Sequence, residues 1–202
     1  MKEEKYNKLK KIFEKNSGYA RTKDILNAGI NSYYLYRLLE NNTISKIKRG
    51  LYHWDDNDYD VNHELVQVSK IVPKGVICLL SALSYYEITT INSWEYYIAI
   101  HRDDRKPIVP DYPPINFFYF SEKQYKTGIQ EIEINNNKVK IYDIEKTICD
   151  CLRFRNKIGM DVVKEAMIDY IKKQDSNINK LLKYAEITGI YNLAKKYLEV
   201  LV

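Results

Sequence analysis

The chain has 202 residues, of which 45% are hydrophobic and 29% are charged. This balance is ordinary for one large or two small folded domains and argues against extended disorder. No apolar run approaches the roughly 18 to 20 residues that a membrane span needs, and the charged start lacks the apolar core of a secretory signal, so we expect a cytoplasmic protein.

The charge is distributed unevenly along the chain. Residues 1–54 carry 12 Lys and Arg against 5 Asp and Glu, a balance of +7. Residues 55–202 carry 20 against 22, a balance of −2. A cationic N-terminal part favours DNA phosphates as a partner, although lysines that merely solvate a small helical domain would give the same pattern.

Two helices are predicted at the start of the chain. The first spans residues 3–15, because its apolar residues recur on one stripe. A short extended piece at residues 19–21 leads to a second helix over residues 23–28, which opens near Thr22 and ends where Gly29 supplies a positive φ. The side chains expected to face inward from these helices are Tyr6, Leu9, Ile12, Phe13, Ile25, Leu26 and Ala28.

A third helix is predicted over residues 32–40, with Ser32 as its N-cap and with Leu35, Leu38 and Leu39 on its buried face. The segment after it alternates apolar and basic side chains around a glycine turn, which predicts a basic hairpin. Two helices joined by a tight turn and followed by a basic hairpin are typical of a winged helix-turn-helix, which binds DNA.

We therefore expect an α+β protein with two domains. Residues 1–58 are predicted to form the winged helix-turn-helix domain, and the acidic stretch 55–60 to form its linker. Residues 59–202 are predicted to form an α+β domain with a small, mostly antiparallel sheet and several helices. Its expected helices cover 61–72, 77–88, 144–154 with Asp143 as the cap, 160–173, 177–186 and 190–201, and its expected strands cover 94–101, 114–121, 130–134 and 138–142.

Several motifs in this order resemble the AbiEi antitoxins of abortive-infection, type IV toxin-antitoxin systems. They are KRGLYHW at 48–54, SALSYYEIT at 81–89, a strand ending IHRDDR at 100–105, and YDIEKTICDCLRF at 142–154. The sequence departs from the family at Asn42 and Glu87, where relatives tend to have glycine.

The resemblance implies a protein with two tasks. The winged helix would bind inverted repeats in its own promoter as a transcriptional autorepressor, with a second protomer on the DNA. The second domain would counter a nucleotidyltransferase-like toxin without a stable complex. The alternative is a stand-alone regulator whose C-terminal domain senses a ligand or dimerises.

The third helix is the predicted recognition helix, since the N-terminal residues of such a helix lie nearest the bases. Arg37 could make a bidentate contact to guanine, whereas any single tyrosine could instead belong to the core, and the hairpin could be simply solvated. The residues expected at the DNA are Arg21, Thr22, Lys23, Asn31, Ser32, Tyr33, Tyr34, Tyr36, Arg37, Lys46, Lys48 and Arg49.

We expect no enzyme, no cofactor and no metal, because the three histidines and three cysteines show no ligand spacing and no phosphate-binding loop is present. A nuclease is a third hypothesis, resting on Glu131 and Glu133 opposite Lys138 and Lys140, a pattern that a solvated hairpin also produces. Asp150 is expected to pair with Arg153 or Arg155. A surface for a partner is expected at Arg102, Arg105, Lys106, Arg153 and Arg155.

Overall fold

The structure is a computed structural model, and it describes residues 3–55 and 62–201. The chain combines helices and sheets and divides into two compact units. One unit comprises residues 1–71 with 133–138, and the other comprises residues 72–132 with 139–202. The predicted domain boundary at residue 58 lies outside the described residues, as do residues 56–60 of the predicted linker.

Within residues 3–55 and 62–71, the first unit contains four helices and a three-stranded sheet in the order β1-β3-β2, in which both neighbouring pairs are antiparallel. Its elements are α1 (Glu3–Lys15), β1 (Tyr19–Arg21), α2 (Thr22–Asn27), α3 (Tyr33–Glu40), β2 (Ile44–Lys48), β3 (Leu51–Trp54) and α4 (His63–Ile71). These bounds agree with the predicted helices and hairpin to within two residues at each end.

The core of this unit is built by the apolar faces that the helical spacing predicts. Leu9 and Phe13 of α1 pack with Ile25 of α2 and with Leu35 and Leu38 of α3, and all five are buried. Burying a side chain of this size contributes about 1.5 to 3 kcal/mol relative to leaving it in water. This cluster therefore fixes the two short helices, which would be marginal alone.

The second unit contains the remaining helices of the described residues and most of a five-stranded sheet in the order β6-β5-β4-β8-β7, of which residues 133–138 are counted with the first unit. Its strands are β4 (Val76–Ile77), β5 (Tyr96–His101), β6 (Ile115–Phe120), β7 (Ile129–Ile134) and β8 (Asn137–Tyr142). Its helices are α5 (Leu79–Tyr85), α6 (Glu122–Lys126), α7 (Ile144–Arg153), α8 (Arg155–Ile158), α9 (Met160–Lys172), α10 (Ile178–Thr188) and α11 (Tyr191–Leu201).

The five-stranded sheet is mixed, so the prediction of a mostly antiparallel sheet was wrong. Strand β4 pairs antiparallel with β5 but parallel with β8, and β5 pairs parallel with β6. Parallel neighbours need a long crossover connection, which residues 102–114 supply between β5 and β6. The sequence shows that loop but not the direction in which the next strand runs.

Two further details correct or confirm the predicted elements. The helix expected over 77–88 starts too early, because Ile77 belongs to strand β4 and the chain becomes helical only at Leu79. The asparagine turn between β7 and β8 is confirmed, since Asn135 and Asn136 have φ values of 48° and 57°. Asparagine tolerates this left-handed region better than most side chains do.

Helix α7 is the centre of the second unit and packs against α5, α9 and α10. Asp143 caps it as predicted, because its Oδ1 accepts the backbone N–H of Lys146 at 2.9 Å. Among residues 3–55 and 62–201, we find no helix with both the length and the apolar character needed to cross a bilayer.

Candidate nucleic-acid interface

The turn between α2 and α3 is formed by Gly29 and Ile30. Gly29 has a φ of +74°, and the backbone N–H of Ile30 donates to the carbonyl of Ile25 at 3.2 Å, as in a Schellman motif. Both isoleucines are buried, so the turn is anchored on either side. Leu26 was expected to face inward but is 51% exposed, because neighbouring residues on a helix point about 100° apart and Ile25 occupies the inner face.

The start of α3 is capped by Asn31. Its Oδ1 accepts the backbone N–H of Tyr33 at 2.9 Å. Ser32 occupies the N-cap position, but it has a helical φ of −57° and ψ of −22°, and its side chain makes no capping bond. The prediction that the Ser32 side chain caps the helix was therefore wrong, because the side chain of Asn31 binds an orphan N–H of the first turn and that of Ser32 binds none.

The two long faces of α3 differ sharply in exposure. Leu35 and Leu38 are buried, whereas the side chains of Tyr33 and Tyr36 are 59% and 65% exposed. Arg37 is exposed as well, and it shares the i, i+3, i+4 stripe with both tyrosines. This stripe is called the α3 face below, and it presents two hydroxyls and a guanidinium to solvent.

Two side chains of α3 lie beside the α3 face, one packed into the core and one paired with Arg37. Tyr34 is partly buried and packs against the core of the first unit, so one tyrosine of the helix is structural. Glu40 lies at the far end, where its Oε2 is 3.7 Å from Nη1 of Arg37. Both side chains are at least half exposed, so this pair contributes little and leaves Arg37 available for another acceptor.

The hairpin of β2 and β3 is joined to the start of α2. The backbone N–H of Thr22 donates to the carbonyl of Gly50 at 3.1 Å, at the turn of the hairpin. Lys46 and Arg49 on the hairpin are exposed, as is Lys23 beside Thr22. The structure thus brings together two of the three predicted groups of cations, the one at the start of α2 and the one on the hairpin.

Two of the predicted DNA-binding cations, Arg21 and Lys48, donate to main-chain carbonyl groups of the protein. Nη2 of Arg21 donates to the carbonyl of Lys70 at 3.0 Å, and Nζ of Lys48 donates to the carbonyl of Ile71 at 2.7 Å. Burial lowers the pKa of Lys48, and the nearby Arg21 guanidinium lowers it further. The sequence does not predict these contacts, because every residue type has a main-chain carbonyl and the acceptors therefore cannot be recognised from side chains. The sequence predicts only that a helix ends near Val72.

The residues predicted as a partner surface lie on two separate segments of the second unit. Arg102, Arg105 and Lys106 are exposed on the loop between β5 and β6, and Nζ of Lys106 lies 5.8 Å from the ring centroid of Phe117. Arg153 ends α7 and is partly buried, and its guanidinium lies 5.5 Å from the ring of Phe154. On α8, Nη1 of Arg155 donates to the carbonyl of Leu152 at 3.2 Å.

Asp150 is fully buried and its partner is Lys146, one turn earlier on α7. The prediction of an arginine partner was wrong, because a lysine at i−4 on the same buried face reaches the carboxylate directly. Nζ of Lys146 also lies 4.7 Å and 4.3 Å from the ring centroids of Phe120 and Tyr142. Burial raises the pKa of Asp150 from its usual 3.8 to about 6, against the opposing effect of Lys146.

A second polar network, in which Asp143 and Glu145 are buried and Lys180 is partly exposed, holds three helices of this unit together. Nζ of Lys180 lies 3.1 Å from Oδ2 of Asp143 and 2.9 Å from Oε2 of Glu145. The hydroxyl of Tyr184 donates to the same Asp143 oxygen at 3.0 Å, and that of Tyr170 donates to Oε1 of Glu145 at 3.0 Å. These contacts join α7 to α9 and α10, so the carboxylates already have acceptor roles within the fold.

Residues 7–52 match a protein family described as "Transcriptional regulator, AbiEi antitoxin". The match runs from α1 into β3, and so includes the helix pair and most of the hairpin, but it does not extend into the second unit. A comparison with curated proteins found no match. The resemblance stated from the sequence is confirmed over these residues, which are similar to the AbiEi antitoxin transcriptional regulators.

Proposed function

We propose that α1 to β3 form a winged helix-turn-helix that binds duplex DNA with α3 in the major groove. The observation that carries this proposal is the α3 face, where Tyr33, Tyr36 and Arg37 are exposed while the opposite face of the helix is buried. An α-helix fits the major groove, and an arginine there distinguishes guanine by a bidentate contact to O6 and N7. Asn31 and Ser32 precede the first turn of the same helix, which is the end that would lie nearest the bases.

The cations around the hairpin supply the contacts to phosphate in this proposal. Thr22 and Lys23 lie at the start of α2, and the Lys23 side chain is exposed there. Lys46 and Arg49 lie on the hairpin, whose turn is bonded to Thr22. One stretch of DNA backbone could therefore meet both groups, which would set the orientation of α3 without reading the sequence.

Replacing Arg37 and Arg49 separately by alanine tests the two roles. Loss of a phosphate contact in Arg49→Ala weakens binding on all duplexes and lowers the slope of log affinity against log salt by about 0.9. Loss of a base contact in Arg37→Ala costs about 1 to 3 kcal/mol on the preferred sequence and relaxes the preference. Unchanged affinity in both variants would contradict this placement.

We further propose that the protein represses its own promoter and acts as a cytoplasmic antitoxin of an abortive-infection, type IV system. Two copies would occupy an inverted repeat, because each half-site is read by one α3. The second unit would oppose a nucleotidyltransferase-like toxin without forming a stable complex, and the protein itself would not be an enzyme. The family match supports the regulator and antitoxin roles.

Co-expression tests the antitoxin role. A neighbouring nucleotidyltransferase-like reading frame is induced with and without this chain, and growth is followed. We expect the wild-type chain to restore growth and the Arg37→Ala variant to restore it equally when both proteins are expressed from foreign promoters. Absence of rescue by the wild type would refute the antitoxin role and leave DNA binding untouched.

A stand-alone regulator that senses a ligand is the second candidate, and one observation favours it. The second unit contains an open, polar cavity of about 380 Å³. Among its lining residues are Tyr86, Gln130, Glu145, Lys173, Asp175 and Lys180. If this candidate holds, repression of the promoter persists in the co-expression strain while growth is not rescued.

A further inference from the structure

The last carbonyl groups of α4 are held by two side chains from other elements. A helix leaves its final four carbonyls without partners inside the helix. In α4 the carbonyl of Lys70 accepts from Arg21 at 3.0 Å, and the carbonyl of Ile71 accepts from Lys48 at 2.7 Å. Cations at this end of a helix are also favoured by its dipole, so charge and hydrogen bonding act together.

The two donors come from the elements that frame the proposed DNA-binding surface. Arg21 ends β1 and directly precedes α2, and its backbone N–H donates to Oδ2 of Asp24 in the first turn of α2 at 3.3 Å. Lys48 ends β2 on the hairpin. The end of α4 is therefore bonded both to the start of the helix pair and to the hairpin.

An irregularity in the hairpin separates Lys48 from its basic neighbours. Strict alternation along a strand would place Lys46 and Lys48 on the same face. The register with β3 shifts between these two residues, since Lys46 lies opposite Tyr52 whereas Lys48 lies opposite Leu51. Such a bulge redirects side chains, and here Lys48 is partly buried against α4 while Lys46 stays exposed.

We propose that Arg21 and Lys48 are positioning residues that fix the carbonyl end of α4, and that they do not neutralise DNA phosphates. If either cation turned to a phosphate, it would leave a carbonyl at the end of α4 without its charged donor. Ile71 is the last residue of the first unit's main segment, so these bonds fix the point where the chain leaves that unit. The inference that these two cations do not neutralise phosphates rests on the proposed DNA binding. The inference that they fix the end of α4 does not depend on it.

The test uses the full chain with Arg21→Met and Lys48→Met, and with Lys46→Met and Arg49→Met as matched controls on the same hairpin. Binding to a mixed-sequence duplex of about 30 base pairs is measured over a series of salt concentrations. The slope of log affinity against log salt reports how many counterions are released on binding. Hydrogen exchange of the backbone amides in α4 and in α3 is measured on the DNA-free protein. The Lys48→Arg variant keeps the donor and should retain the wild-type exchange pattern.

We expect Arg21→Met and Lys48→Met to keep the wild-type salt slope and to lose at least about tenfold protection in the last turn of α4, with α3 unaffected. The control variants should each lower the slope by about 0.9 and leave α4 protected. A lower slope in Arg21→Met or Lys48→Met would overturn the proposal, as would unchanged protection of α4. If the wild type shows no salt-dependent binding, the proposed DNA function fails, while the exchange result still decides the role at α4.

Discussion

Replacing Lys146 by methionine removes one half of the buried ion pair in α7. Both side chains of the pair are 0% exposed, and the Lys146 ammonium also lies near two aromatic rings. Methionine preserves the length of the side chain and its contacts with the rings. The variant therefore isolates the loss of charge, and it leaves the Asp150 carboxylate in the core without its cation.

The cost follows from the burial of the remaining carboxylate. Removing one partner of a buried pair typically costs about 3 to 5 kcal/mol, because the other charge keeps its desolvation penalty. Within the described structure, Oδ1 of Asp150 has no hydrogen-bond partner even in the wild type. No other hydrogen bond to this oxygen therefore offsets the loss of the Lys146 cation. We expect a loss in this range for Lys146→Met. The double variant Lys146→Met, Asp150→Leu should recover at least half of it, since neither charge is then buried.

Urea unfolding followed by circular dichroism measures these differences. The matched control is Lys195→Met on α11, where Lys195 and Glu199 have the same i, i+4 spacing and order but are 55% and 64% exposed. That variant should change the unfolding free energy by less than about 0.5 kcal/mol. If Lys146→Met lowers the unfolding free energy no more than the control does, or if the double variant is less stable than the single one, the unpaired carboxylate is not the cause of the destabilisation.

Three further predictions concern single residues. Because burial raises the pKa of Asp150 above its unfolded value, the folded protein takes up this proton first; the stability of the wild type relative to Asp150→Asn should therefore rise by about 1 kcal/mol between pH 7 and pH 5, and a fall in urea unfolding experiments would refute it. Gly29→Ala should cost about 1 kcal/mol from its positive φ alone, since nothing lies within 4 Å of the added Cβ; a neutral change in melting temperature would contradict this. Asn31→Ala should cost about 1 kcal/mol by removing the cap of α3, whereas Ser32→Ala should cost less, and the reverse order would restore Ser32 as the cap.

Local patterns in the sequence predict most of the first unit correctly. Helical spacing identifies Leu35 and Leu38 as buried, and the glycine at position 29 marks the turn between the helices. These features depend on interactions within a few residues, where residue type and conformation are closely linked. The exposed α3 face follows from the same periodicity once the buried face is fixed.

Features that depend on distant parts of the chain were not predictable in the same way. The contacts of Arg21 and Lys48 with α4 join residues whose separation in sequence gives no pattern, and their acceptors are main-chain atoms. The prediction of Arg153 or Arg155 as the partner of Asp150 was wrong because helical spacing allows a partner on either side, and only burial selects Lys146. The parallel pairs of the second sheet depend on strand direction, which the composition of a strand does not encode.

The central claim is that the α3 face reads DNA sequence. Fluorescence anisotropy of the full chain on the duplex upstream of its own reading frame, against a shuffled duplex of the same length and composition, tests this most directly. We expect the wild type to prefer the upstream duplex by at least about a hundredfold. A triple variant, Tyr33→Ala, Tyr36→Ala and Arg37→Ala, should lose that preference and keep salt-dependent binding to both duplexes. Equal affinity of the wild type for the two duplexes, or a preference that survives in the triple variant, would contradict the claim.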